Sequence, residues 1–265
     1  MNKKIMMLQV DAFTNQRFKG NPAAVCVLEE EISAELMQSI AAENNLAETA
    51  FVSRLADDFS LRWFTPTVEI NLCGHATLAT AHVLWEEGLL ATDKKALFHS
   101  LSGLLTAEKK GDWIELNFPA VLTTNQVALP EKALQALGVK PVNSVFAKDR
   151  YLVEVASPEE VLAAEPDFQV LKHYDPVVVT SPGNSNMPYD FVSRSFVPSH
   201  GINEDPVTGS SHCGLVPYYA AQWKKHAFHA YQCSKRGGEL KLQLAGDRVL
   251  MAGQAVTVIK GHLLL

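Results

Sequence analysis

An α+β fold of two similar halves, each a curled mixed β-sheet around one central α-helix, is what this sequence predicts. Three observations carry the prediction: two helical segments are apolar on nearly every face, strand-like stretches flank both, and pieces of the first half recur in order in the second. In the first helix Ala76, Thr77, Leu78, Ala79, Thr80, Ala81, Val83 and Leu84 leave almost no polar face before Glu86-Glu87-Gly88. A helix apolar all round is a buried helix. The second opens at Gly209-Ser210-Ser211-His212 and continues with Cys213, Leu215, Val216, Tyr218 and Tyr219. Pro217 lies inside it and is expected to bend it by removing a backbone hydrogen bond. Strands can enclose such a helix only by curling into a partial barrel.

The repeat is read from four matches in the same order. Phe51-Val52-Ser53-Arg54 recurs as Phe191-Val192-Ser193-Arg194, and Phe64-Thr65-Pro66 answers Phe196-Val197-Pro198. Gly74-His75 at the first apolar helix answers Gly209-Ser210 at the second. Ser102-Gly103-Leu104 followed by Trp113-Ile114-Glu115-Leu116 answers Gly237-Gly238-Glu239-Leu240 followed by Val249-Leu250-Met251-Ala252. The join falls between Pro119 and Pro130. This divides the chain into residues 1–122, with Glu48 and Gly74-His75, and 123–265, with Asp205 and Gly209-Ser210; the first or last strand is free to cross over.

The elements follow from local pattern. Met6 to Phe13 and Ala23 to Leu28 read as paired strands around the turn signal Gly20-Asn21-Pro22. After Ser33, apolar Leu36, Met37, Ile40 and Ala41 alternate with polar Glu35, Gln38 and Glu43 at helical spacing, and Asn44-Asn45 suits the end of that helix. Strands resume at Thr49 to Arg54 and Leu61 to Phe64, with Glu48 at the helix-to-strand junction. Beyond the first buried helix, a strand is expected at Leu97 to Lys109 and another at Trp113 to Phe118, joined through Lys110-Gly111-Asp112.

Composition bounds the function. The 265 residues are 47% hydrophobic and 20% charged, which supplies a core and excludes disorder, collagen and coiled coil. There are 23 basic and 29 acidic residues, a net charge of -6, with no basic stripe of the kind that nucleic acid requires. No window approaches the roughly 18 apolar residues that would span a bilayer. Met1-Asn2-Lys3-Lys4 mimics the start of a signal peptide, but Gln9 interrupts the following apolar run and Asp11 ends it. Cys26, Cys73, Cys213 and Cys233 form no C-x-x-C pair and read as reduced thiols. A cytoplasmic protein is expected.

Two buried helices starting at glycines would present free N–H groups and dipoles to an anion, and glycine lets a ligand approach the backbone. A small carboxylate is the natural ligand; close packing of the helix starts is the alternative reading of Gly74 and Gly209. His75 reads either as an acid/base or as a hydrogen-bonded first-turn residue. Asp205, four residues before Gly209, reads either as an acid/base or as a helix cap. Ser210 alone is a first-turn residue, and no G-x-S-x-G elbow surrounds it. Glu48, between Ala47 and Thr49-Ala50-Phe51-Val52, stands in an apolar setting that suits a general base; a helix-end carboxylate is the alternative. Its repeat counterpart is read as Pro188, so the strong base is expected on one side only. Cys73-x-His75, His212-Cys213 and the His75/His82 spacing fit no standard metal set. Neither G-x-x-x-x-G-K-[ST] nor G-x-G-x-x-G occurs, and no cofactor is implied.

Several stretches together resemble the phenazine-biosynthesis PhzF-like family, relatives of diaminopimelate epimerase. They are Asp11-Ala12-Phe13-Thr14, Gly20-Asn21-Pro22-Ala23-Ala24-Val25, Asn45-Leu46-Ala47-Glu48-Thr49-Ala50-Phe51-Val52, Arg62-Trp63-Phe64-Thr65-Pro66, Leu72-Cys73-Gly74-His75-Ala76-Thr77, Glu204-Asp205-Pro206-Val207-Thr208-Gly209-Ser210 and Arg236-Gly237-Gly238. The resemblance implies a diaminopimelate-epimerase-like fold of two pseudo-symmetric domains with the active site in the cleft between them, and commonly a homodimer. It implies that the glutamate matching Glu48 is the acid/base of a proton-moving isomerisation. It further implies that His75, Asp205 and Ser210 line the pocket and that the backbone at Gly74 and Gly209 meets a substrate carboxylate. Ala47 departs from the serine often found there, which puts the phenazine substrate in doubt. The epimerases' cysteine pair has no match, since Cys73 lacks a thiol partner.

The leading expectation is therefore a cofactor-independent isomerase acting on a small carboxylate-bearing substrate. An amino-acid racemase or epimerase, and a carboxylate-binding protein without turnover, are the alternatives.

Overall fold

The computed structural model describes residues 4–124 and 127–265, so the Met1–Lys3 part of the basic start lies outside the described residues. In chain order the first elements are β1 (Lys4–Ala12), β2 (Asn21–Leu28), α1 (Ala34–Asn44), β3 (Glu48–Leu55), β4 (Asp58–Phe64), β5 (Glu69–Ile70), α2 (Gly74–Glu86), β6 (Ala96–Ser100), β7 (Gly103–Lys110) and β8 (Trp113–Pro119). Then come α3 (Glu131–Leu137), β9 (Asn143–Ala147), β10 (Arg150–Glu154), α4 (Pro158–Ala163), α5 (Phe168–Leu171), β11 (Val177–Pro182), β12 (Phe191–Phe196), β13 (Glu204–Asp205) and α6 (Gly209–Trp223). The chain closes with β14 (Ala227–Gln232), β15 (Gly238–Ala245), β16 (Arg248–Gly253) and β17 (Ala255–Leu264). Two compact units result: residues 1–117 with 252–265, and residues 118–251. β17 pairs along its whole length with β1 of the first unit, a crossing-over of the last strand that the sequence division at 122/123 leaves open.

In the first unit the strands run β17-β1-β2-β3-β4-β6-β7-β8, parallel at β2–β3 and β4–β6 and antiparallel elsewhere. The expected single strand at residues 97–109 is two, folded back at Leu101-Ser102 with Gly103 at φ 85°. These strands enclose α2, in which Ala76, Leu78, Ala79, Ala81, Val83 and Leu84 are fully buried. Thr77 and Thr80 can be buried beside them because each hydroxyl donates to the carbonyl four residues back, Cys73 and Ala76 respectively. The helix α1 is amphipathic as read: Ser33 Oγ accepts from Leu36 N, and Asn45 in the left-handed region ends it. Gly20 is required where it stands. Its φ is +62°, and a Cβ there would lie 2.1 Å from the Ala12 carbonyl oxygen.

The second unit repeats this order: β9-β10-β11-β12-β14-β15, parallel at β10–β11 and β12–β14. Around α6, Leu215, Val216 and Tyr219 are buried, and Phe191 stacks on Tyr219 at 4.7 Å between ring centroids. Pro217 has no N–H for the Cys213 carbonyl, and Val121 N donates to that carbonyl instead, at 2.9 Å. The helix runs unbroken from Gly209 to Trp223 in spite of the proline.

Strand pairing fixes the register of the repeat. Phe64 pairs with Thr49 and Glu69, and Phe196 pairs with Val177 and Glu204. Arg62 grips Glu69 through two hydrogen bonds of 2.7 and 2.8 Å and lies over the Phe64 ring; Arg194 grips Glu204 at 2.8 and 3.0 Å and lies over Phe196. Ser102 Oγ donates to the Asn71 carbonyl and Ser234 Oγ to the Pro206 carbonyl, both at 2.7 Å. In this register β4 matches β12, so the shared tetrapeptide, which lies in β3 and in β12, is a coincidence of strand composition. The counterpart of Glu48 is Pro176, the residue before Val177, and not Pro188. Either way the second unit has no carboxylate there.

Candidate active site

Glu48 opens β3, directly opposite Ala23 of β2, and His75 sits in the first turn of α2. The tight turn at Gly20 brings Asn21 to the same place. His75 Nε2 lies 3.0 Å from Glu48 Oε2, while Asn21 Nδ2 lies 3.2 Å and Cys73 Sγ 3.5 Å from His75 Nδ1. The Glu48–His75 approach is close enough for an ion pair but off the line of a hydrogen bond, so Glu48 Oε2 and His75 Nε2 are both buried without a hydrogen-bond partner. Buried polar atoms in native proteins are nearly always hydrogen-bonded, so a buried carboxylate and imidazole that meet only as an ion pair mark a candidate site.

Electrostatics sharpen this picture. Burial works against charge on His75, but its neighbours outweigh burial and hold the imidazole well above its ordinary value. Burial, and after it the Glu48 carboxylate, push the Cys73 thiol up, which leaves it protonated at neutral pH. A neutral thiol cannot supply that attraction, so of the two neighbours it is the Glu48 carboxylate whose charge favours the protonated imidazole. Among the described residues, Glu48, Cys73 and His75 are also the one group of three potential metal ligands, their donor atoms within 4.8 Å of one another. The sequence reading had set Cys73-x-His75 aside as a ligand set, and the fold adds Glu48 to it.

In the second unit, Asp205 pairs with Ser195 in β13 and precedes the start of α6. The N-cap of α6 is Thr208 and not Asp205. Thr208 is a good capping residue, yet it does not cap; its hydroxyl donates to Asp205 Oδ2 at 2.5 Å. Cys73, the N-cap of α2, does not cap either. Both helices thus start with first-turn N–H groups that no cap side chain occupies, whereas Ser33, Ser157 and Asp167 do cap α1, α4 and α5. Gly209 is buried at the helix start and Ser210 is exposed beside it; Gly74 is half-buried.

Glu48, Gly74 and His75 therefore come together within the first unit, and Asp205, Gly209 and Ser210 within the second. Asn21, Thr208 and Gln232 were not read as site residues. Asn21 looks like an ordinary turn residue in Gly-Asn-Pro, and Gln232 like a strand end.

Strands curled around a buried helix with an uncapped N-terminus, in duplicate, define a protein of the epimerase-like fold class. The chain belongs to the phenazine biosynthesis-like protein family (PhzC-PhzF), whose model matches residues 10–261. It is 49% identical over 258 residues to a protein of Halalkalibacterium halodurans named an uncharacterized isomerase, with 97% of each chain covered. A crystal structure of a PhzF-family phenazine biosynthesis protein from Enterococcus faecalis superposes with a TM-score of 0.94 at 42% identity, covering 99% of this chain and 100% of that one. A hydroxyproline epimerase from Agrobacterium vitis, with trans-4-hydroxy-L-proline bound, shares the fold at a TM-score of 0.63 and 11% identity, covering 99% and 93%. Among the described residues no helix is long and apolar enough to cross a membrane.

Proposed function

We propose that this chain is a cofactor-independent isomerase that moves a proton on a small carboxylate-bearing substrate, working in the cytoplasm as a homodimer. The observation that carries the reading is the orphaned pair, Glu48 Oε2 and His75 Nε2, at the uncapped start of α2. Glu48 takes a proton from a carbon conjugated with, or next to, the substrate carboxylate. The electron pair left behind shifts into the unsaturated system, a double bond moves, and the proton returns at another carbon. No electrons are gained or lost and no group leaves, so the substrate and its isomer are the only reactants. His75 and Asp205 are the proton partners of Glu48. The backbone at Gly74 and Gly209 and the Ser210 hydroxyl bind the carboxylate, where preorganised N–H donors meet the charge that develops beside it. The kinship of the family with proteins named isomerases supports this reading without naming the substrate.

The test is solvent-deuterium incorporation into a panel of cyclic and acyclic carboxylates, amino acids included, by the wild type and by Glu48→Gln. Glu48→Gln is expected to slow exchange by about 10²-fold or more, the usual contribution of a general base. Exchange at the wild-type rate in that variant would remove Glu48 from the chemistry. Compounds that bind without exchanging would favour the carboxylate-binding alternative, and scrambling at a stereocentre without double-bond movement would favour the racemase.

A further inference from the structure

The duplicated framework isolates the residues that are not needed to build it. Both units keep the Arg–Glu grip, the cation–π contact and the serine that ties down the carbonyl two residues past that glutamate. Against this common frame three of the differing positions in the second unit form a connected set. Where the first has Ile70 in β5, the second has Asp205 in β13. Where Cys73 stands before α2, Thr208 stands before α6. The third member is Gln232. Ser60 pairs with His99 and Val192 with Tyr231, so the residues that follow, Ser100 and Gln232, are counterparts. Ser100 keeps its hydroxyl within its own hairpin, on the Gly103 carbonyl.

Gln232 reaches across instead. It is fully buried, its Oε1 accepts from Thr208 N at 2.9 Å, and its Nε2 donates to the Asp205 carbonyl at 2.7 Å and to Thr208 Oγ1 at 3.1 Å. Accepting one hydrogen bond from Gln232, the Thr208 hydroxyl donates its own proton to Asp205 Oδ2. One amide thus holds the backbone of Asp205, the backbone of Thr208 and a side-chain hydroxyl that grips the Asp205 carboxylate. Thr208, engaged in this way, does not cap α6.

Resting on the reading of Asp205 given above, we infer that Gln232 is a positioning residue that holds Asp205 and the uncapped start of α6 in working geometry. It touches no substrate and acts through Asp205 and Thr208.

Two measurements on the full chain test this. The first needs no substrate: amide hydrogen exchange at residues 205–209 in the wild type, Gln232→Leu and Gln232→Glu. Gln232→Leu is expected to lose at least tenfold in protection of the Thr208 amide. Gln232→Glu, which keeps an acceptor for that amide, is expected to retain it. Unchanged protection in Gln232→Leu overturns the inference. The second is a cycle of kcat with Asp205→Asn on whichever carboxylate the wild type exchanges. Gln232→Leu should lower kcat about 10- to 100-fold with KM nearly unchanged, and have almost no further effect once Asp205 is asparagine. Equal losses in both backgrounds would show a structural role only and overturn the inference. If Asp205→Asn itself keeps the wild-type rate, the reading of Asp205 fails and the positioning role falls with it, while the exchange result still reports on the turn.

Discussion

His212 is a fully buried imidazole whose Nδ1 faces the Thr208 carbonyl at 2.9 Å and whose Nε2 has no partner. Burial depresses it to about 4, with the Arg150 charge adding to the effect and the Thr208 bond opposing it. The unfolded chain binds this proton near pH 6.5 and the folded one only near 4, so the contribution of neutral His212 to stability is complete above about 6.5. It declines as pH falls toward 4, by roughly 3 kcal/mol. Urea unfolding followed from pH 7 to pH 4 should show that decline, and His212→Asn should flatten it. The position has a history in the repeat: its counterpart Thr77 makes the same bond to the carbonyl four residues back. A site residue of this kind was only partly legible in the sequence. Glu48, His75 and Asp205 stood out because acid/base side chains are rare in apolar settings. Asn21 and Gln232 did not, because an amide in a turn or a strand end has no local mark, and its role exists only across 54 and 24 residues of intervening chain.

At the level of elements, the two buried helices were legible because an apolar face on every side permits nothing else. The register of the repeat was not. A run of Phe, Val, Ser and Arg suits many strands, and only ladder pairing shows that β4, and not β3, is the counterpart of β12. The hairpin between β6 and β7 was missed because Leu97 to Lys109 is continuously strand-like, and its two-residue turn depends on Gly103 alone. The unbroken α6 has a physical cause that the sequence hides. The carbonyl that Pro217 leaves free is taken by Val121 N–H, 92 residues earlier in the chain. Native-state hydrogen exchange should find the Val121 amide protected as strongly as the interior of α6. Pro217→Ala, which restores a competing N–H within the helix, should lower that protection at least tenfold while changing overall stability by less than about 1 kcal/mol.

At the level of the molecule, duplication explains why the seventeen strands among the described residues need so few kinds of connection: one order of pairing is used in each unit, and β17 is added at the end to cover β1. The sequence allows for the return of the last strand without locating it. That return has a further consequence. Lys4 is opposite Leu264 in the β1–β17 ladder, so these two residues are ladder neighbours, about 5 Å apart. A short Gly/Ser bridge from Leu264 to Lys4, with new termini cut at the exposed Gly246-Asp247 turn, should give a circular permutant that unfolds in a single transition within a few degrees of the parent chain. What folds is the cyclic order of the strands, whichever strand comes first.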